Sequence, residues 1–252
     1  MGHTIIGLNR WEDPPREFDY LFHLSAYGNH YFQTEEVKIY KANVQRPFDL
    51  LEKTKKTTYK GFFNFATTFH NLESGSFYGS TKAAGEYLVR SFVQKYNLPI
   101  VNIRPYSIFG EREWNFRFIP TLCNRIKDDE GITVSDVSHD WTYVEDFIDR
   151  LIELMPRTKE LQGKSVGIGS GTRRSNMQIA KMLMDAVRKE VPIIKGDLRQ
   201  YEIAAYNQGM IRKIAEQNDE IFIQANQTPI HTALRHVYEN PNFLRKYGEF
   251  TS

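Results

Sequence analysis

Two side chains whose spacing suits proton transfer, Tyr78 and Lys82, lie in the stretch Phe77–Glu86, which predicts the start of an amphipathic helix running to about Tyr96. Residues four apart share one helix face, about one turn from each other. A phenol ionises near pH 10, but a neighbouring ammonium group favours the phenolate. The pair therefore predicts a tyrosine that exchanges a proton with a substrate hydroxyl. The alternative is a chance pair on a surface helix, and Tyr-x-x-x-Lys alone does not decide between the two.

The elements around this helix predict an α/β fold. Buried strands are expected at 4–8, 19–26, 61–68 and 99–105, with a helix at 35–55 that Pro47 interrupts. We expect Val37, Tyr40, Val44, Leu50 and Leu51 to face inward on that helix. Alternating strands and helices indicate a parallel sheet, in which ligands bind beyond the carboxyl ends of the strands. Further on, strands are expected at 132–134 and 165–168, and helices at 145–155 and 177–189, the latter capped by Ser175 and Asn176.

Composition limits the classes of function. The chain has 252 residues and a formal net charge of +2, which gives no reason to expect a nucleic-acid partner. No apolar run approaches the roughly 20 residues of a membrane span, and the first residues do not resemble a secretion signal. Cys123 is the only cysteine, so an intrachain disulfide and a thiolate metal cluster are excluded, and the histidines show no metal-binding spacing. We therefore expect a cytoplasmic protein without a metal.

Five blocks of residues come in the order typical of one known family. They are Phe22–Ala26, Tyr78–Glu86, Arg104–Gly110, His139–Phe147 and Ile168–Thr172. Over about 4–187 the chain resembles the extended short-chain dehydrogenase/reductases, the group of NAD-dependent nucleotide-sugar epimerases and dehydratases. The resemblance implies a Rossmann-like parallel sheet over 1–110, to which parts of 133–168 return, and a smaller, mainly substrate-binding lobe over 111–252.

The resemblance also implies roles for single residues. Tyr78 matches the catalytic tyrosine, and Lys82 matches the lysine that lowers its pKa and holds the ribose hydroxyls of the cofactor. Thr68, with Thr67 as the alternative, matches the residue that hydrogen-bonds the reacting oxygen. Asn43 matches an asparagine near the cofactor. Backbone-rich segments around the dinucleotide are matched by Leu24, Ser25, Ala26, Pro105 and Ser107. The implied cofactor is NAD or NADP, and the implied substrate is a nucleotide-sugar.

The sequence departs from the family at its start. The Gly-x-x-Gly-x-x-Gly loop, whose following helix holds the pyrophosphate, is missing. Residues 2–10 resemble the family's second strand, so Asn9 and Arg10 are expected to meet the adenosine ribose if that strand keeps its position. Unpaired backbone groups are costly, and we expect strand 4–8 to move inward and pair with strand 20–25. Asn9 and Arg10 would then lose that role, and dinucleotide affinity would be weak or absent.

Three readings follow for the function. The first is a nucleotide-sugar epimerase or ketoreductase; dehydration is disfavoured because Phe69 and His70 stand where dehydratases carry an Asp-Glu pair. The second is a non-catalytic relic or binding module with the same fold, and the third is an incomplete product. The family also implies a homodimer through the Tyr78 helix and the helix before it. The apolar residues that would permit this contact are Leu50, Leu51, Ala84, Leu88 and Phe92.

Overall fold

A computed structural model describes residues 3–30, 32–68, 76–135, 137–196 and 221–243. The chain divides into two compact units. The first is built mainly from Met1–Pro105 and Glu153–Gly167, and the second mainly from Tyr106–Ile152, Ile168–Arg212 and Phe222–Ser252. The two units are not joined by a single linker, because the chain leaves the first unit after Pro105 and returns to it at Glu153.

The regular elements alternate as expected for an α/β protein. Up to Pro105 they are β1 Tyr20–His23, α1 Glu36–Tyr40, a π-helical segment Lys41–Gln45, α2 Arg46–Thr54, β2 Gly61–Phe65, α3 Phe77–Tyr96 and β3 Ile100–Pro105. Beyond it they are β4 Ser107–Phe109, α4 Phe118–Lys127, β5 Ile132–Val134, β6 Ser138–Tyr143, α5 Val144–Leu154, β7 Ser165–Gly169, β8 Arg173–Ser175, α6 Asn176–Val187, β9 Ile193–Lys195, β10 Ile221–Gln224 and α7 Ile230–Glu239.

The main sheet has the strand order β1-β2-β3-β7-β10 in the described part of the chain. The pairs β1–β2 and β2–β3 are parallel, with Phe22 opposite Phe63 and Phe63 opposite Val101. Parallel strands are covered on both faces and are therefore rich in apolar residues, as in β2, where Phe62 and Phe63 are fully buried. The predicted Rossmann-like α/β fold is confirmed.

The predicted strand at 4–8 is wrong. These residues form no strand, and Ile5 is 90% exposed and Ile6 61% exposed. Among the described residues β1 is the terminal strand of its sheet, so the expected pairing of 4–8 with strand 20–25 is wrong as well. The physical reason is that the apolar side chains of this segment are not buried, and burial is the main force that holds a strand against its neighbour.

The predicted helix at 35–55 contains a π-helical segment that the sequence pattern does not reveal. The wider π turn breaks the single helical period on which the predicted inward face rests, so residues before and after it do not share one face. Val37 and Tyr40, which precede the segment, are exposed, which corrects their predicted inward orientation, while Ile39 and Ala42 are buried. Pro47 lies near the start of α2, directly after the π-helical segment, and the helical path continues through it.

The second unit has its own core. A three-stranded sheet of order β4-β6-β8 and the pair β5–β9 lie in this part of the described chain. Helices α4, α6 and α7 contribute Leu122, Leu183 and Leu234 to one apolar cluster. Cys123 is buried in the same cluster, and burial raises the pKa of its thiol to about 12. Helix α6 begins with the predicted Ser175 cap, which forms a capping box with Gln178.

The described ranges contain neither a helix that could span a membrane nor a cluster of side chains that could hold a metal ion. None of their helices combines the length and the apolar character that crossing a bilayer requires. They also contain no group of three or more His, Cys, Asp or Glu side chains that could hold a metal ion.

Candidate functional site

Helix α3 places the Lys82 side chain at the carboxyl end of β2, one helical turn from Tyr78. The helix begins at Phe77 after Ser76, whose hydroxyl accepts a hydrogen bond from the Gly79 amide (3.2 Å). This is the N-cap geometry that satisfies one of the free amides of a helix start. Tyr78 lies in the first turn and is half-buried, and Lys82 follows one turn later and is buried. The predicted start and end of this helix are confirmed.

The Lys82 ammonium group is buried but keeps a hydrogen-bond acceptor. It donates a hydrogen bond to the main-chain carbonyl of Phe65, the last residue of β2. Burial lowers its pKa to about 8, and the nearby Glu86 carboxylate opposes that shift. Because this value lies above neutral pH, most molecules carry a positive charge at Lys82 under neutral conditions. The charge stands one helical turn from Tyr78, as the sequence predicts.

The two candidate threonines follow β2 directly. Thr67 and Thr68 are both buried at the carboxyl end of this strand. Phe65, whose carbonyl accepts the hydrogen bond from the Lys82 ammonium group, lies three residues before Thr68. The structure therefore brings Thr68 and Lys82 to the same end of the same strand. Phe69 and His70 lie outside the described residues.

The segment after β1 is held by side chains from two directions. Leu24 is exposed, and the Ser25 hydroxyl lies 3.0 Å from Nε2 of His23. The Arg10 guanidinium donates to the Ala26 carbonyl at 2.9 Å. Asn9, in contrast, is exposed, and its main-chain N–H donates a hydrogen bond to the Glu12 carboxylate. Of the two predicted ribose contacts, Arg10 thus reaches the carboxyl end of β1, whereas Asn9 does not contact it in the described hydrogen bonds.

Asn43 clasps three elements together. Its Oδ1 accepts from the Tyr27 amide at 3.1 Å, and its Nδ2 donates to the Tyr27 carbonyl at 2.8 Å and to Thr81 Oγ1 at 3.1 Å. Thr81 in turn donates to the Tyr78 carbonyl at 2.9 Å. The π-helical segment, the segment after β1 and the first turn of α3 therefore share one buried amide. Gly85 allows this close approach, because a Cβ atom there would lie 2.6 Å from the Asn43 carbonyl oxygen.

The last two predicted cofactor contacts fall in different units. Pro105 ends β3 in the first unit. Ser107 opens β4 in the second unit, where it is paired with Trp141 of β6.

A buried polar row, which the sequence analysis missed, crosses the first three strands. His23, Asn64 and Asn102 stand opposite one another in the strand register. His23 Nδ1 lies 3.1 Å from Asn64 Oδ1, and Asn64 Nδ2 donates to Asn102 Oδ1 at 2.8 Å. Burial, helped by the charge of Lys82, lowers the pKa of His23 to about 4. His23 is therefore neutral, which fits an Nδ1 that donates to Asn64 and an Nε2 that accepts from Ser25.

A second buried group, also missed, surrounds Glu86. The carboxylate lies one turn beyond Lys82 on α3 and binds Arg104 of β3 through two hydrogen bonds of 2.7 and 3.0 Å. The signal was available, because Tyr78, Lys82 and Glu86 recur at intervals of four residues on one helix face.

The second unit contains a pocket of about 120 Å³. It is lined by aromatic residues of β4 and β6, by the turn after β7 and by the start of α7, including Trp141, Ser170, Arg174 and Asn226. Small-molecule sites usually measure about 300–1,000 Å³, so this pocket is too small for a whole nucleotide-sugar. Arg173 of β8 is exposed and donates to the Ser138 carbonyl at 3.0 Å.

Comparison with known proteins identifies the family. Residues 9–169 match the model of the NAD dependent epimerase/dehydratase family. The chain therefore belongs to this family.

Individual relatives agree with that assignment. Over 191 residues, which are 66% of this chain and 58% of the relative, the sequence is 26% identical to the uncharacterized UDP-glucose epimerase YtcB of Bacillus subtilis. Over 113 residues it is 33% identical to the low-salt glycan biosynthesis protein Agl12 of Haloferax volcanii, covering 44% of this chain and 36% of that protein. The matched segment thus spans less than two thirds of either relative.

Solved structures show the same fold. The UDP-glucuronic acid 4-epimerase of Bacillus cereus, solved in complex with NAD, superposes with a TM-score of 0.70 at 18% identity, over 89% of this chain and 73% of that one. The epimerase Mth375 of Methanothermobacter thermautotrophicus gives a TM-score of 0.69 at 21% identity, over 88% and 72% of the two chains. At these identities the likeness concerns the fold.

Proposed function

We propose that this protein is a nucleotide-sugar epimerase or ketoreductase in which Tyr78 moves the proton of a sugar hydroxyl and Thr68 hydrogen-bonds the reacting oxygen. The observation that supports it best is the placement of Lys82. Its buried ammonium group stands one helical turn from Tyr78 and at the same strand end as Thr68. A cation in that position favours the ionised form of a neighbouring phenol. When bound, NAD or NADP supplies the hydride chemistry, and the protein orients it.

The residues present fit the nicotinamide-ribose half of such a cofactor. An ammonium group has three N–H donors, so the bond from Lys82 to Phe65 leaves donors for ribose hydroxyls. Ser25, Ala26 and Leu24 lie beyond the carboxyl end of β1, and Pro105 ends β3, where ligands bind in parallel sheets. Ser107 belongs to this set through the family resemblance alone. Asn43 contributes indirectly, because its amide holds the backbone of Tyr27 in place.

For the pyrophosphate half of the dinucleotide, the described residues offer fewer candidate contacts. The printed sequence has no Gly-x-x-Gly-x-x-Gly, the loop that presents backbone amides to phosphates. Arg10, which reaches the carboxyl end of β1, is the cation we assign to this half, while Asn9 is exposed and donates its main-chain N–H to the Glu12 carboxylate.

The second candidate function is a binding module of the same fold without catalysis. One observation favours it: among the described residues, β1 is the terminal strand of the main sheet. Such a module would retain the nucleotide-sugar as its ligand. The two functions differ in one measurable property, which is the binding of the dinucleotide.

Calorimetric titration with NAD, NADH, NADP and NADPH separates the two functions. The catalytic proposal expects saturable binding of one pair, followed by conversion of a uridine or thymidine diphosphate sugar detected by NMR. Tyr78→Phe should then lower kcat by about 10²–10⁴-fold and leave cofactor affinity nearly unchanged. Tyr87→Phe, an exposed tyrosine on the same helix, is the matched control and should be fully active. Saturable binding of a nucleotide-sugar with no dinucleotide binding would favour the binding module.

We also propose a homodimer that uses the outer face of α2 and α3. Leu50 and Leu51 are core residues, so these two predicted contacts face inward. Phe48 is 42% exposed and packs edge-on against Phe92 of α3 with ring centroids 5.8 Å apart. An exposed aromatic pair of this kind is typical of interfaces. Light scattering should give twice the chain mass, and a monomer that persists at micromolar concentration would contradict the proposal.

A further inference from the structure

Glu86 is the most completely bound carboxylate in the first unit among the described hydrogen bonds. Its side chain is buried, and Oε1 accepts from Arg104 Nη2 (2.7 Å), Arg90 Nη2 (2.8 Å) and Ser165 Oγ (2.5 Å). Oε2 accepts from Arg104 Nε at 3.0 Å. The fork-to-fork pairing with Arg104 fixes the carboxylate in orientation as well as in charge. Ser165 also accepts a hydrogen bond from Arg90 (2.8 Å), so Glu86, Ser165 and Arg90 form a closed ring of hydrogen bonds.

This carboxylate lies in line with the proposed catalytic pair. Tyr78, Lys82 and Glu86 occupy one face of α3, each about 6 Å further along the axis than the one before. The groups that act on Lys82 are few: burial favours its neutral form, and Glu86 favours its charged form. His23, the titratable group on the facing strand β1, is neutral, because burial lowers its pKa to about 4. Arg104 and Arg90 face Glu86.

We propose that Glu86 is a positioning residue: its carboxylate keeps Lys82 charged beside Tyr78, and Arg104, Arg90 and Ser165 hold that carboxylate in place. The assignment of a task to Tyr78 rests on the proposed function. The coupling between Glu86 and Lys82 does not depend on that function, because two buried side chains of opposite charge lie one turn apart on the same face of α3.

Each partner of Glu86 has a physical reason to be there. A buried carboxyl group tends to take up a proton, and burial would raise the pKa of Glu86. The charge and hydrogen bonds of Arg104, the bond from Ser165 and the charge of Arg90 outweigh burial, so the pKa of Glu86 is lowered and it remains ionised. Burial lowers the pKa of Lys82 to about 8 even with this anion nearby. Without the anion, part of the protein would carry a neutral Lys82 at neutral pH.

The test measures the titration of Lys82 itself. Protein with ¹³C-labelled lysine is titrated by NMR across neutral and alkaline pH, and the Cε signal of Lys82 is assigned by its loss in Lys82→Met. Glu86→Gln keeps the shape of the side chain and removes the charge, and it should lower the pKa of Lys82 by about 1. Glu36→Gln is the matched control, because it makes the same change at an exposed carboxylate of α1; the pKa of Lys82 should stay near 8.

Glu86→Gln leaves Arg104 as a buried cation, which can prevent folding. The double variant Glu86→Gln/Arg104→Met removes both charges, and its Lys82 pKa should lie below that of Arg104→Met, the variant from which it differs only in the carboxylate. An unchanged or raised pKa of Lys82 in the folded Glu86 variants would overturn the proposal. So would an equal drop in Glu36→Gln, since that would mean that the shift is not specific to the Glu86 carboxylate.

This titration needs neither cofactor nor substrate, so it stands apart from a failure of the proposed function. In an active protein it gains a second readout. The alkaline limb of the kcat/KM profile should move to lower pH in Glu86→Gln and remain in place in Glu36→Gln. Loss of activity with no movement of that limb would indicate a merely structural role.

Discussion

The Lys82 ammonium group donates a hydrogen bond to the carbonyl of Phe65, so the first half of α3 is tied to the last residue of β2. A buried cation of this kind makes the folded protein less stable. It lowers the free energy of unfolding wherever the unfolded chain binds the proton more tightly than the native protein does.

The first prediction follows from that cost. The pKa of Lys82 is about 8 in the folded protein against an ordinary 10.5, so between these values the unfolded chain binds more protons. The free energy of unfolding should therefore rise as pH rises from about 8 to 10.5, by about 3 kcal/mol from this group. Urea unfolding of the parent and of Lys82→Met measures it. The difference between the two proteins should change over this pH range, and a constant difference would contradict the prediction.

The second prediction concerns acid. His23 is buried and neutral, with a pKa of about 4 against an ordinary 6.5. Below pH 6.5 the unfolded chain takes up a proton that the native protein resists, so stability should fall as pH drops from 6.5 to about 4. His23→Gln should flatten this part of the stability curve. His231→Gln, in which an exposed histidine of α7 is replaced, should leave the curve as in the parent.

The third prediction tests the clasp formed by Asn43. Asn43→Ala removes three hydrogen bonds and leaves the Tyr27 amide and carbonyl without their partner, which should cost about 2–4 kcal/mol of unfolding free energy. Denaturant unfolding measures the loss. Gln45→Ala changes an exposed residue of the same π-helical segment and should cost less than about 0.5 kcal/mol. Equal effects at the two positions would show that the clasp does not carry stability.

The fourth prediction tests the close approach at Gly85. A Cβ atom there would lie 2.6 Å from the Asn43 carbonyl oxygen, and both atoms belong to helical backbone that yields little. Gly85→Ala should therefore destabilise the protein by about 1–3 kcal/mol, although alanine favours helices over glycine. A Cβ atom at Gly7 meets nothing within 4 Å, so Gly7→Ala is the control and should be nearly neutral. A stabilised Gly85→Ala variant would refute the close contact.

The sequence predicts well those elements whose own residues determine their structure. Helix α3 has its cap, its apolar face and its end within one continuous stretch, and β2 and β3 are dense apolar runs bounded by breakers. The Tyr78–Lys82 pair could be predicted for the same reason, because its spacing and the helix around it are local.

The failures share a different origin. Residues 4–8 resemble a buried strand, but whether they form one depends on a neighbour that the local pattern does not contain. The local pattern extends one helical period over 35–55, but the π-helical segment at 41–45 breaks that period, so one inward face does not hold on both sides of it, and Val37 and Tyr40 are exposed. The charge group around Glu86 joins residues as far apart as Glu86 and Ser165, a pairing that a single sequence does not reveal.

The burial of Cys123 has a practical consequence for experiments on this molecule. Its thiol has no exposed surface and a pKa of about 12, so it should be inert to maleimides and similar reagents in the folded protein. Because the chain contains no other cysteine, a single cysteine introduced at a surface position would be the sole reactive thiol. Fluorescent and spin labels can thus be attached at chosen positions in an otherwise unaltered background.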